Sequence, residues 1–173
     1  MKDFKEDFQK LANDCISAHN FPVKPSKAVR KWDGKTPYSV HPIWCATMIL
    51  HETALAEDIR VDGSQALLFH DVLEDTLAEL PNYLSDRVKK LVQDMTFESS
   101  DEEMLKVWDK PIEIKLFKLY DKVSNLMDAS WMSPEKLQRY REYTNRLTQE
   151  VQTHYGELNI VKLAKILTAD HFK

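Results

Sequence analysis

Glycine is scarce. Only Gly34, Gly63 and Gly156 occur in 173 residues, and each falls between segments of helical periodicity rather than inside one. A protein of many short strands needs more turn glycine than that, so a sheet architecture is disfavoured. Cysteine is nearly absent too: Cys15 and Cys45 are not in a metal-binding spacing, and two in an intracellular chain read as buried thiols rather than a disulfide. No apolar run approaches the roughly 20 residues of a membrane span. The first ten residues, MKDFKEDFQK, alternate charge with Phe and lack the apolar stretch and cleavage site of a secretory signal. No membrane association and a cytoplasmic location are the expectations. Positive charge is not in excess either: 24 basic against 28 acidic residues leave −4, which argues against general nucleic-acid binding but leaves a small anionic ligand open.

What is present is helical pattern. At 43% hydrophobic and 30% charged, the chain is globular and long enough for one domain with a real core, residues 1–173. Phe4, Phe8, Leu11 and Cys15 recur every three or four residues, as do Leu137, Tyr140, Tyr143 (or Thr144), Leu147 and Val151, the stripe of helices with one buried face. The fold class expected is all-α, a helical bundle. Capping signals place its elements: Asp62 with Gln65 and Ser100 with Glu103 resemble helix starts, and Ser133-Pro134 supplies a cap followed by proline at the first helical position. Helices are expected near 3–19, 39–56, 63–75, 86–95, 101–108, 112–130, 134–155 and 157–168, with KWDGKTPY (31–38) a turn-rich loop.

One helix is odd. LLFHDVLEDT, residues 67–76, begins as an apolar stripe and then places His70, Asp71, Glu74, Asp75 and Thr76 in its last seven positions. His70 and Glu74, and Asp71 and Asp75, are each one turn apart, making a polar wall about two turns long. A metal held by His70 and Asp71 needs partners from other helices. His41 opens the apolar helix HPIWCATMIL, and Asp121, with Asn125 one turn on, sits inside KLFKLYDKVSNL, where a carboxylate is costly to bury without a counter-charge. Two imidazoles and two carboxylates suit a first-row divalent ion, and the absence of thiolates leaves open positions for water. Such an ion acidifies water and polarises a phosphoryl oxygen, which points to phosphate hydrolysis.

These residues form a spaced H…HD…D pattern that resembles the HD-domain metal-dependent phosphohydrolase superfamily. More narrowly, TPYSVHP, LLFHDVLEDT and KLYDKVSNL resemble the hydrolase domain of the RelA/SpoT group and its small stand-alone alarmone hydrolases, over roughly residues 25–130. The HDxxED extension is the specific part. The resemblance implies an HD-domain helical bundle, with His41, His70, Asp71 and Asp121 as ligands of a divalent metal, usually manganese, with iron, cobalt, nickel, zinc or magnesium left open. It implies that Glu74 and Asp75 position or deprotonate the attacking water, that Asn125 contacts the nucleotide sugar, and that Arg30 and Lys31 help hold the nucleotide. The implied reaction removes pyrophosphate from the 3′ position of guanosine tetra- or pentaphosphate, giving GDP or GTP. Two alternatives stay open: a phosphatase of the same superfamily acting on nucleoside monophosphates or other small phosphate esters, and a non-catalytic nucleotide-binding module.

The departures from the family pattern fall on the pocket rather than the metal set. Tyr120 replaces the small residue usual before the last aspartate, the segment between Thr96 and Lys115 is short, and KWDGKTPY differs from the commoner loop. Tyr38 is a candidate for the pocket lining, with packing on the bundle the competing reading. Lys118 and Lys122 flank Asp121, but lysines on a helix edge are expected to be solvated more often than not. His19, His51 and His154 read most simply as core histidines, the tryptophans as core or rim packing, and Thr76 as part of a helix end. Helix 134–155 leaves a homodimer open.

Overall fold

The computed structural model describes residues 2–169, with side chains from residue 7 onward, so the side chain of Phe4 lies outside the described part. Its helices are α1 (Lys2–His19), α2 (Val40–Leu50), α3 (Glu57–Phe69), α4 (Val72–Asp75), α5 (Asp86–Met95), α6 (Ser100–Lys106), α7 (Ile112–Met127), α8 (Pro134–Tyr155) and α9 (Asn159–Thr168). Among the described residues there is no strand, only the isolated bridges Pro22 with Thr76 and Val29 with Pro37. The all-α expectation holds. No described helix is long and apolar enough to cross a membrane.

The bundle is built around α7. Residues Ile114 to Ser124 are buried without interruption, and α2, α3, α5, α8 and α9 all pack against this helix. A helix enclosed on every side is ordinarily apolar all round. Here Leu116, Phe117, Leu119 and Val123 fill the core while Lys118, Asp121 and Lys122 are equally buried, so this polar face needs internal partners. They define the functional site.

Where the boundaries of α2, α3 and α7 differ from the sequence reading, a tertiary contact is found at the difference. Gly63 lies inside α3; a Cβ there would come within 2.6 Å of the Phe117 ring and 2.9 Å of Ile49 Cδ1, so this glycine serves close helix packing, not a turn. The helix begins at Glu57 with no side-chain cap, and Asp62, the expected cap, pairs with Arg87 instead. α2 stops at Leu50 rather than 56 because Glu52 leaves the helical path to accept the backbone N–H of Asn159 at 2.6 Å, satisfying the start of α9. α7 stops at Met127 rather than 130 where Asp128 turns to meet Arg30. α6 is capped by Ser99, which accepts from Glu102 N–H, one residue before the expected Ser100.

Candidate functional site: a buried metal centre in a charged cleft

The most consequential difference is a break at His70–Asp71. The expected helix 63–75 ends at Phe69, and Asp71 (φ −94°, ψ −5°) starts the short α4. On a continuous helix neighbouring residues point about 100° apart. The break lets both turn inward, bringing His70 Nε2 within 3.1 Å of Asp71 Oδ2.

α2 and α7 complete the cluster. His41 Nε2 stands 3.2 Å from His70 Nε2, 3.4 Å from Asp71 Oδ2 and 3.4 Å from Asp121 Oδ1. His41, His70 and Asp121 bring one donor atom each within 4.8 Å of one another, and Asp71 joins through its Oδ2. Donors about 2.1 Å from a metal stand roughly 3–3.5 Å apart, so the spacing fits one ion held by two nitrogens and two oxygens. The tautomers fit as well. His70 Nδ1 lies 2.7 Å from the Leu67 carbonyl and so carries the proton, leaving Nε2 a lone pair for a cation. His41 Nδ1 is held by Ser124 Oγ at 2.8 Å.

Further contacts fix the carboxylates. The Tyr38 hydroxyl donates to Asp71 Oδ2 at 2.7 Å, and Asn125 Nδ2 donates to Asp121 Oδ1 at 2.6 Å. Arg30 donates to Asp128 at 2.6 and 2.9 Å and to Asn125 Oδ1 at 2.8 Å. A continuous chain therefore runs from Asp128 through Arg30 and Asn125 to Asp121. Burial opposes ionisation of Asp71 and Asp121, but the groups packed around them outweigh it, His70 and His41 for the first and Lys122 with His41 and Lys118 for the second, and hold both carboxyls well below the usual range.

Asp71 and Asp121 of this cluster line a cleft of about 890 Å³, within the range of small-molecule sites. Glu74 lines it with one oxygen accepting from Phe97 N–H at 2.8 Å. Burial, reinforced by the charge of Asp71, pushes Glu74 up to about 7 against the pull of Lys118. Asp75 is buried and paired with Lys27 at 2.6 Å; burial and Asp71 push its pKa up. Lys31 sits at the exposed rim with its ammonium 4.3 Å from the Trp131 ring centre, and Lys136 approaches the same ring at 4.6 Å.

Lys118 and Lys122 correct the sequence reading. Neither is solvated: both are buried, both line the cleft, and both bind Glu103. Glu103 itself appeared in the sequence only as part of a helix-start signal. The signal that could have found it is stoichiometric, since two lysines on an enclosed helix need a carboxylate besides Asp121. Tyr120 is fully buried away from the cleft lining. His19 is a core histidine as expected, packed 5.1 Å from the Tyr38 ring, but neither ring nitrogen has a hydrogen-bond partner among the described residues and burial pushes it down to about 4. His51 and His154 are exposed, not in the core. Thr76 ends α4 by donating to the Val72 carbonyl.

A helical bundle that converges these side chains on one point defines an HD-domain hydrolase. No family model matches the chain. Among curated proteins it is similar to guanosine-3′,5′-bis(diphosphate) 3′-pyrophosphohydrolase MESH1 of Danio rerio, 34% identical over 146 residues covering 77% of this chain and 79% of that protein. The Homo sapiens MESH1 is 29% identical over 160 residues, covering 82% and 86%. A solved structure described as a metazoan ortholog of SpoT that hydrolyses ppGpp and plays a role in starvation responses shares the fold, with a TM-score of 0.68 at 22% identity over 91% of this chain and 93% of that one. The chain belongs to the MESH1 family of small stand-alone hydrolases.

Proposed function

We propose that this chain is a metal-dependent 3′-pyrophosphohydrolase acting on guanosine 3′,5′-bis(diphosphate), releasing pyrophosphate and leaving GDP, with the pentaphosphate giving GTP. The observation that carries the reading is the convergence of His41, His70, Asp71 and Asp121 on one point with Glu74 beside it in the cleft. The four side chains would hold a divalent cation, which we assign as manganese. When bound, it supplies Lewis acidity to the phosphoryl oxygens and lowers the pKa of water at the site.

The remaining chemistry belongs to the chain. Glu74, raised to about 7, takes the proton of the attacking water, because a base is most effective near the working pH. Asp75, fixed by Lys27, orients that water. Lys118 and Lys122 line the cleft beside Asp121 and offset charge on the transferred phosphoryl group. Asn125, aligned by Arg30, faces the sugar, while Lys31 on the rim meets the outlying phosphates. In this reading residues 1–173 act as one domain on a soluble nucleotide, in the cytoplasm, where the unpaired Cys15 and Cys45 are also at home.

The test is a competition. Manganese-loaded protein is offered ppGpp together with dAMP, and products are resolved by chromatography with mass detection. GDP with pyrophosphate is expected. Deoxyadenosine and phosphate with untouched ppGpp would replace the substrate while keeping the centre, and binding of ppGpp without any product would make the chain a nucleotide-binding module.

A further inference from the structure

Beside the metal centre lies a second cluster for which the reaction above gives no complete account. Glu103 enters it from α6, well separated in sequence from every proposed ligand. It is 5% exposed, and the lysines it meets are 1% (Lys118) and 6% (Lys122) exposed. Its Oε2 lies 3.0 Å from Lys118 Nζ and its Oε1 2.8 Å from Lys122 Nζ. The Tyr143 hydroxyl donates to the same carboxylate at 2.9 Å. The two ammoniums also approach Asp121 Oδ2, at 2.8 Å for Lys122 and 3.7 Å for Lys118. Asp121 is thus divided: Oδ2 faces the lysines, and Oδ1 faces His41 and His70.

Charge balance gives this arrangement a consequence. Two ammoniums against Glu103 and Asp121 sum to zero. Without Glu103, Asp121 alone would stand in ion-pair contact with two buried ammoniums on one side and face a divalent cation on the other. Unpaired buried charge is expensive, and like charges a few ångströms apart in a poorly solvated site repel strongly. The lysines would then draw on the negative charge of Asp121, and the cation would lose it.

We propose that Glu103 is a positioning residue of the metal centre, neutralising Lys118 and Lys122 so that Asp121 keeps its Oδ1 and its charge for the divalent cation. This rests on the metal centre of the preceding subsection but not on the substrate assigned there. It also gives α6 a role: the short segment between α5 and α7 delivers a carboxylate that, with Asp121, lets α7 bury two lysines next to a ligand.

The test is calorimetric titration of manganese into the metal-free protein at fixed pH, with no nucleotide present. Glu103→Gln keeps size and much of the hydrogen bonding but removes the charge; it is expected to weaken manganese binding by roughly 10–100-fold, the range for partners that support a ligand. Glu103→Asp should lose less than Gln. The discriminating variant is Glu103→Gln combined with Lys118→Met, which removes one charge of each sign and should recover most of the lost affinity. A merely structural Glu103 would lower the melting temperature in both without recovery in the second. Unchanged affinity in Glu103→Gln, or a double variant as weak as the single, overturns the proposal; if the single variant does not fold, the double variant and Glu103→Asp decide it. A wild-type protein that binds no manganese overturns the metal centre itself and this proposal with it, whereas a protein that binds manganese but leaves ppGpp intact removes only the substrate.

Discussion

Glu74 shows how one side chain can be tuned for reaction and cost stability. Its carboxyl rises from 4.5 to about 7 because burial and Asp71 disfavour the charged form. Between those values the unfolded chain gives up its proton while the folded one keeps it. Stability therefore falls as pH rises from about 4.5 to about 7 and levels off above. Glu74→Gln, neutral at every pH, should be more stable than wild type at pH 8 by roughly 1–3 kcal/mol and no more stable near pH 4, as read by denaturant melts. As a base, Glu74 should give a kcat/KM that rises with pH through about 7, and the Gln variant should lose at least roughly 10²-fold in kcat. Full activity in that variant would remove Glu74 from its role. Tyr38→Phe tests a different residue: it deletes only the hydroxyl that donates to Asp71 and should weaken manganese binding about 10-fold in the same calorimetric titration. At this scale the sequence was informative where chemistry was local. A His-Asp doublet after Leu67, Leu68 and Phe69, and an aspartate inside an apolar helix, are anomalies visible in the linear order. Arg30 was legible as a basic residue near the nucleotide, but its pairing with Asp128 and Asn125 spans more than 90 residues and has no local signature.

Elements were legible where their ends are made by neighbours in sequence. Ser133 accepts from Lys136 N–H, Pro134 sits at the start of α8, and Gly156 at φ +82° closes it, so α8 runs where periodicity and capping placed it. α2 and α7 end where distant groups intervene, Glu52 capping α9 and Asp128 meeting Arg30, and α3 runs on through Gly63 because the glycine admits Phe117. Gly63 makes the point testable. Helix propensity alone says that alanine should stabilise the interior of α3 by up to about 1 kcal/mol. The packing says the opposite, since the added methyl would sit 2.6 Å from an aromatic ring in the core. Gly63→Ala is expected to lower stability by about 1–3 kcal/mol, the range for overpacked sites. Pairing it with Phe117→Leu should cost less than the sum of the two single variants, a coupling that thermal or denaturant melts can read. Additivity within about 0.5 kcal/mol would mean that the ring is not what forces glycine here.

At the scale of the molecule, the proposed ligands tie together parts of the bundle that are far apart in sequence. His41 comes from α2, His70 and Asp71 from the α3–α4 break, and Asp121 from α7, the helix on which most others pack. In the metal-free protein this centre holds two buried carboxylates against imidazoles and the lysines of α7, and an ion bound there favours the folded state alone, because the unfolded chain cannot assemble the four donors. Linkage then sets the size of the effect: manganese at about 100 times its Kd should add about 2.7 kcal/mol, and for a chain of this length that is a rise in Tm of about 5–10 °C. A chelator should reverse the rise, and Asp121→Asn should abolish it while the variant remains helical by circular dichroism. The rise should survive in Glu74→Gln, whose side chain is proposed to serve the water and not the ion. A rise of equal size in Asp121→Asn would place the ion elsewhere and remove Asp121 from the centre.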